Sequence, residues 1–260
     1  MIGEKLDENL GIPFYDSELI KVAAKESGIC EEIFESFDEK PTTSFLYSLV
    51  MDPYSLGYNS NSFDLPLNHK VFLAAFDTQE NCYVVSDDTL ECVIIDCGAF
   101  YPEEHKAITE YIRKNNLKPV HLLVTHGHLD HNFGNDTIYQ EFGLKPEVAQ
   151  GDEKLMKGLA HQAETFYQMQ LDTHFPPIGH FFEEDEVIKF GNHEFTIIET
   201  PGHSNGSVCF YCEAEHVLFS GDTLFKSSIG RTDFPGGSMF RIINSLRHLG
   251  MLPDETQVLP

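Results

Sequence analysis

The stretch THGHLDH, residues 125–131, brings His126, His128, Asp130 and His131 together in one short run, with the Thr125 hydroxyl beside them. Imidazole and carboxylate are the donors that zinc takes, at about 2.0–2.2 Å, and histidine is the commonest metal ligand. The apolar run HLLVT at 121–125 is expected to be a strand that delivers His126 to a sheet edge. Gly127 between the first two histidines reads as permission for a tight turn. So short a run cannot surround two metals, so distant donors are needed. TPGHSNGS at 200–207 offers His203 in a Gly/Pro turn, and FSGDTLF at 219–225 offers Asp222 after Gly221 at the end of an apolar strand. Taken singly, His203 is equally a turn residue and Asp222 a turn residue or helix cap. Their shared order of strand, glycine and donor favours ligands. Zinc lowers the pKa of bound water to about 7 and polarises carbonyl oxygens, so such a centre hydrolyses without a serine or cysteine nucleophile.

The elements that must position these groups are legible around them. NCYVVS and ECVIID, separated by DDTL, read as a hairpin. PEEHKAITEYIRKN follows as a helix with Pro102 near its start. DEKLMKGLAHQAETFYQMQ reads as one further helix, and Asp130–His131 as a helix opening. EVIKFGNHEFTIIET is a hairpin turning at Gly-Asn, SVCFYCE and HVLFSGD are another strand pair, SMFRIINSLRHLG is a helix ending at Gly250, and TQVLP begins a strand. Strand pairs interleaved with helices predict two sheets covered by helices. Upstream, residues 1–40 read as helical, with YDSELIKVAAKESG capped at Asp16 and stopped at Gly28 and CEEIFESF as a second helix. The turn-rich segment 52–68 reads as a linker.

Composition narrows the function. The chain has 260 residues, of which 41% are hydrophobic, enough for a real core. Its formal net charge is −25, which argues against nucleic acid and against an anionic membrane surface as partners. A small-molecule substrate is the expected partner, and nothing in the sequence sets an oligomeric state. MIGEKLDENLG carries no apolar core of a signal peptide, and no run of about 18 apolar residues exists to span a membrane. The six cysteines are scattered, so reduced thiols and a cytoplasmic location are expected. Cys209 and Cys212 have C-x-x-C spacing, but in a strand they face opposite sides and read as buried thiols.

The motif His126-Gly127-His128-Leu129-Asp130-His131, followed in order by TPGHSNGS and SGDTLF, resembles the metallo-β-lactamase superfamily, and SIGRTDFPGGS at 228–238 resembles its glyoxalase II-like thioester hydrolases. The resemblance covers about 79–260 and implies an α/β fold, a four-layer αββα sandwich, truncated at both ends and preceded by a mostly helical extension. It implies one zinc held by His126, His128 and His203, a second held by Asp130 and His131, and Asp222 bridging them. The implied reaction is attack on a small thioester or ester by a hydroxide between the metals, with Asp130 as a catalytic group orienting it. Arg231 in GRTD either orients substrate or packs structurally. The family's second zinc takes one more histidine from a GHG segment after a late strand, and none of the other histidines here sits in such a motif. The first Zn2+ is therefore expected to bind firmly and the second weakly.

Residues 1–78 resemble instead the cytidylate-kinase-like family, through LGIPFYDSELIKVAAKESGICEEIFESFDEKPTTSFLYSLVMDPYSLG. No G-x-x-x-x-G-K-[ST] phosphate loop is present, so this segment predicts no kinase activity. The chain thus reads as a chimera: 1–78 a kinase-like fragment and linker, 79–260 the hydrolase. VFLAAFD at 71–77 is expected to fill the hydrolase's edge-strand position against 81–86. Two rival functions remain at this stage, an inactive metal-binding module and a persulfide dioxygenase with a single Fe2+. A lactamase is less favoured, for want of an export signal.

Overall fold

The computed structural model describes residues 67–74, 80–172 and 174–260. They belong to one compact unit, Leu46–Pro260. The expected helices of residues 1–40, the linker at 52–68 except its last two residues, and Cys30 lie outside the described residues.

Two mixed sheets face each other. The first runs β1 (Asn68–Ala74), β2 (Glu80–Ser86), β3 (Glu91–Ile95), β4 (Lys118–Leu123), β5 (Pro146–Val148) and β6 (His180–Phe181) in that spatial order. β1, β2 and β3 pair antiparallel, and β3 to β6 pair parallel. The second sheet has the order β13-β10-β9-β8-β7, from β7 (Val187–Phe190), β8 (His193–Glu199), β9 (Val208–Cys212), β10 (Val217–Phe219) and β13 (Gln257–Leu259). A ribbon of β11 (Leu224–Phe225) and β12 (Ser228–Ile229) stands apart. The expected edge strand forms through Ala74, with Val71 opposite Tyr83 and Phe72 opposite Cys82. Residues 75–77 of that stretch lie outside the described residues.

Period-two alternation explains the layering. On β2, Tyr83 and Val85 point between the sheets and join Phe190, Phe195, Phe210 and Phe219 from the opposite sheet. Cys82 and Val84 point outward and are covered by Ile108 and Ile112 of α1 (Pro102–Lys114) and Ile138 of α2 (Asn135–Phe142). The outer face of the second sheet, with Cys209, Tyr211 and Leu218, packs on Leu249 of the last helix, Met239–Leu249. Helix, sheet, sheet and helix thus stack as four layers. Phe210 is fully buried, and its truncation to alanine would cost about 3–5 kcal/mol.

Three local expectations need correction. The stretch 152–170 is not one helix: α3 (Glu153–Lys157) and α4 (Leu159–Phe166) meet at Gly158, whose φ −99 and ψ 11 leave the helical region, and YQMQ beyond Phe166 is not helical. Leu129–His131 is a single 3-10 turn, and the helix that follows starts only at Asn135. Gly127 is required by packing rather than by a left-handed turn, since a Cβ there would lie 2.7 Å from Leu155 Cβ. The cysteine reading fits the strand geometry: Cys209 faces the outer layer and Cys212 the layer between the sheets, and both are free thiols.

Candidate metal centre

The donors come from loops at the ends of strands. β4 leads into His126, β8 into His203 and β10 into Asp222. His126 and His203 are buried to 1% exposure and His131 to 2%. His203 Nε2 lies 2.8 Å from His128 Nδ1 and 3.2 Å from His126 Nε2. Asp222 reaches two ways, with Oδ2 3.3 Å from His203 Nε2 and Oδ1 3.3 Å from His131 Nε2. Donor atoms of His126, His128 and His203 lie within 4.8 Å of one another, as do those of His126, His131 and Asp222, and those of Glu80, Asp130 and His131. The structure therefore brings together all six donors singled out in the sequence and adds Glu80.

Hydrogen bonds fix which ring nitrogen faces inward. The Arg231 carbonyl can only accept, so His203 Nδ1–H donates to it at 2.8 Å and leaves Nε2 as a lone pair. Thr125 Oγ donates to Asp96 Oδ2 at 2.6 Å and therefore accepts from His126 Nδ1 at 3.1 Å. His203 Nε2 thus lies between His128 Nδ1 and His126 Nε2, so three ring nitrogens share a space that suits one cation. Burial, followed by the neighbouring His131, His203 and His128, pushes the His126 pKa well below 6.5. Burial and the neighbouring His203 and His131 likewise take His128 down to about 3. Neither ring accepts a proton at neutral pH.

His131 has the opposite electrostatics. Burial disfavours its charge, but Glu80, Asp96 and Asp222 outweigh burial and hold its pKa well above 6.5. Its Nδ1 pairs with Asp96 Oδ2 at 3.1 Å. Its Nε2 has Glu80 Oε2 at 3.1 Å and Asp222 Oδ1 at 3.3 Å as ion-pair partners, but neither is aligned as a full hydrogen bond. Burial also raises the Asp130 carboxyl, with Glu80 and Asp222 adding to it against His131. Glu80 and Asp130 share one donor cluster with His131, and Asp222 shares another with His126 and His131, so the donor sets suit divalent cations.

Three positioning groups had no signal in the sequence reading. Asp96, at the end of β3 with φ 50, accepts from Thr125 N at 2.8 Å as well as from the Thr125 hydroxyl and His131. Asp152, fully buried, accepts from Gly127 N at 2.8 Å, Ser204 Oγ at 2.6 Å and Gly206 N at 2.7 Å. Asn132 donates to the carbonyls of His126 and His128 at 3.2 and 2.6 Å. Asp152 thereby locks the His126–His131 loop to the His203 loop.

Arg231 contributes its backbone to His203, while its side chain pairs with Asp233 at 2.7 Å and lies 4.0 Å over the Phe234 ring. Phe234 stands edge-on to His128 at 5.4 Å and contacts Phe166 at 5.5 Å. These rings form an apolar wall beside the donors.

A four-layer fold whose strand-end loops gather histidines and carboxylates defines a metallohydrolase-like protein. The family model for the metallo-beta-lactamase superfamily matches residues 75–259, and the chain belongs to that superfamily, whose members are largely metal-dependent hydrolases. A second model, for the cytidylate kinase-like family, matches residues 1–106. The hydroxyacylglutathione hydrolase GloC of Haemophilus influenzae is 37% identical over 172 residues, which cover 65% of this chain and 78% of that protein. Among solved structures, the BLEG-1 B3 metallo-beta-lactamase is 30% identical with a TM-score of 0.66, covering 74% of this chain and 90% of that one. TTHA1623 in a di-iron-bound form is 33% identical with a TM-score of 0.61, covering 71% and 87%. No helix among the described residues is long and apolar enough to cross a membrane.

Proposed function

We propose that residues 79–260 form a zinc-dependent hydrolase of a small thioester or ester, with the kinase-like segment 1–78 taking no part in the chemistry. The convergence of His126, His128 and His203 on one point, with Asp222 reaching from there to His131, carries this reading. His126, His128 and His203 would hold one cation, Asp130 and His131 a second, and Asp222 would touch both. Bound zinc supplies Lewis acidity, making water a nucleophile near neutral pH and polarising the scissile carbonyl. Asp130 would orient the attacking water through a carboxylate oxygen. The Phe234 and Phe166 wall excludes water from one side of the acyl group, and Arg231 at its edge suits an anionic substrate tail. A thioester is favoured because the GloC relative is named a hydroxyacylglutathione hydrolase. The substrate is a free small molecule rather than nucleic acid or membrane, given the net charge of −25, and the scattered cysteines suit a reducing cytoplasm.

The test is hydrolysis of S-lactoylglutathione by zinc-loaded full chain. Turnover above buffer that disappears with chelator and returns with zinc supports the reading. Full zinc occupancy without turnover overturns it in favour of an inactive metal-binding module. The di-iron form of TTHA1623 favours a second metal assignment, iron, which elemental analysis of protein purified without added metal decides. Iron together with oxygen consumption on glutathione persulfide would move the activity to a dioxygenase.

A further inference from the structure

Glu80 is the one donor at this centre that lies far in sequence from every motif. It is the first residue of β2, opposite Ala74 of the edge strand, and its side chain is 17% exposed. Its Oε2 stands 3.1 Å from the buried His131 Nε2, which has no aligned hydrogen bond. Its donor oxygen also lies within 4.8 Å of an Asp130 carboxylate oxygen. Asp222 Oδ1 approaches the same Nε2 at 3.3 Å. An ion pair would account for the short distance, but an ion pair inside a protein normally aligns its hydrogen bond, and this one does not. Glu80, Asp130 and His131 thus bring three donor atoms together at one place, with Asp222 reaching His131 from the neighbouring cluster.

We infer that Glu80 is a ligand of the second metal, completing with Asp130, His131 and Asp222 a four-donor set of three carboxylates and one imidazole. This rests on the metal centre proposed above. The set is richer in oxygen than the three-histidine site, so it accepts harder cations such as Mn2+ or Fe2+ more readily than its neighbour does. β2 is held between β1 and β3, which makes Glu80 a rigidly aimed ligand rather than a loop donor.

The test is Zn2+ titration of the chelator-stripped full chain against a chromophoric competitor, for wild type and Glu80→Gln, with the melting temperature of each stripped protein as the folding control. Wild type is expected to bind two zinc ions. Glu80→Gln should keep the first at unchanged affinity and bind the second more weakly by at least the roughly 10–100-fold that loss of an outer-shell partner costs. Two ions bound equally well by the variant, or one ion bound by wild type, overturns the assignment. No zinc bound by wild type overturns both it and the proposed hydrolase, whereas Glu80-dependent second binding without turnover leaves the ligand standing and sinks only the hydrolase. Should Glu80→Gln not fold, a zinc-loaded wild-type crystal structure decides: an Oε at about 2.0–2.2 Å from the metal supports the ligand, and one in hydrogen bond to protein alone overturns it.

Discussion

Replacing Asp152 by alanine removes the carboxylate that ties the two histidine loops together. The side chain is fully buried and accepts three hydrogen bonds, from Gly127 N, Ser204 Oγ and Gly206 N. Ser204 Oγ retains Ser207 Oγ at 2.7 Å, so the substitution orphans mainly the two backbone N–H groups. Each buried orphan costs about 1–3 kcal/mol. Release of a buried carboxylate from its desolvation offsets part of that, leaving a net loss of about 3 kcal/mol. In a domain of this size each kcal/mol shifts Tm by about 2–4 °C, so the fall should be about 6–12 °C. The second consequence is specific to position. Gly127 lies between His126 and His128, and Gly206 follows His203 closely, so slackening both loops should weaken first-site zinc by roughly 10–100-fold. Asp152→Asn keeps one acceptor but turns an NH2 toward a donor, and should fall between wild type and alanine. Thermal melts of the stripped proteins and zinc competition measure the two effects separately. An alanine variant that melts within about 1 °C of wild type, below any single-orphan cost, and binds zinc as tightly would refute the reasoning.

His126→Ala and His203→Ala should each abolish tight zinc binding, while His131→Ala should spare the three-histidine site; equal losses in all three, read as zinc per chain after dialysis, would show that the sites are one coupled unit. Gly202→Ala should destabilise by more than the about 1–3 kcal/mol of backbone strain alone, because Gly202 has φ 148 and a Cβ would meet Ile242 N at 2.3 Å; a urea melt checks it. Burial would raise the Asp87 carboxyl, but its hydrogen bonds from Thr89, Asn192 and His193 outweigh that and depress it. The stability it contributes is therefore fully present above its unfolded pKa of about 3.9 and is lost as pH falls through the lower folded value. Asp87→Asn should flatten the acid limb of a stability-against-pH curve, and an unchanged limb contradicts the sign.

The histidine donors were legible because each stands at a strand end in a glycine-marked run: HLLVT before His126 and TPG before His203. The layers were legible for the same reason that β2 packs as it does, since alternating Cys82, Tyr83, Val84 and Val85 send side chains to opposite faces. The break at Gly158 was not, because a glycine inside a helix-periodic run costs only about 1 kcal/mol and is often absorbed. Glu80 carries no spacing signal: an acid opening a strand is usually solvated, and only the pairing of β2 beside β3 carries it to His131. Asp96 and Asp152 were hidden likewise, since a buried carboxylate is recognised by the backbone N–H groups it receives, and those come from loops distant in sequence.

The central claim is that residues from three separate loops hold cations at this point. Diffraction from zinc-loaded crystals on either side of the zinc edge tests it most directly. The account predicts two anomalous peaks about 3.5–4 Å apart, one among His126, His128 and His203, the other beside Asp130 and His131, with Asp222 between. A map with no peak within ligand distance of His203, or with zinc only on surface histidines, would contradict it.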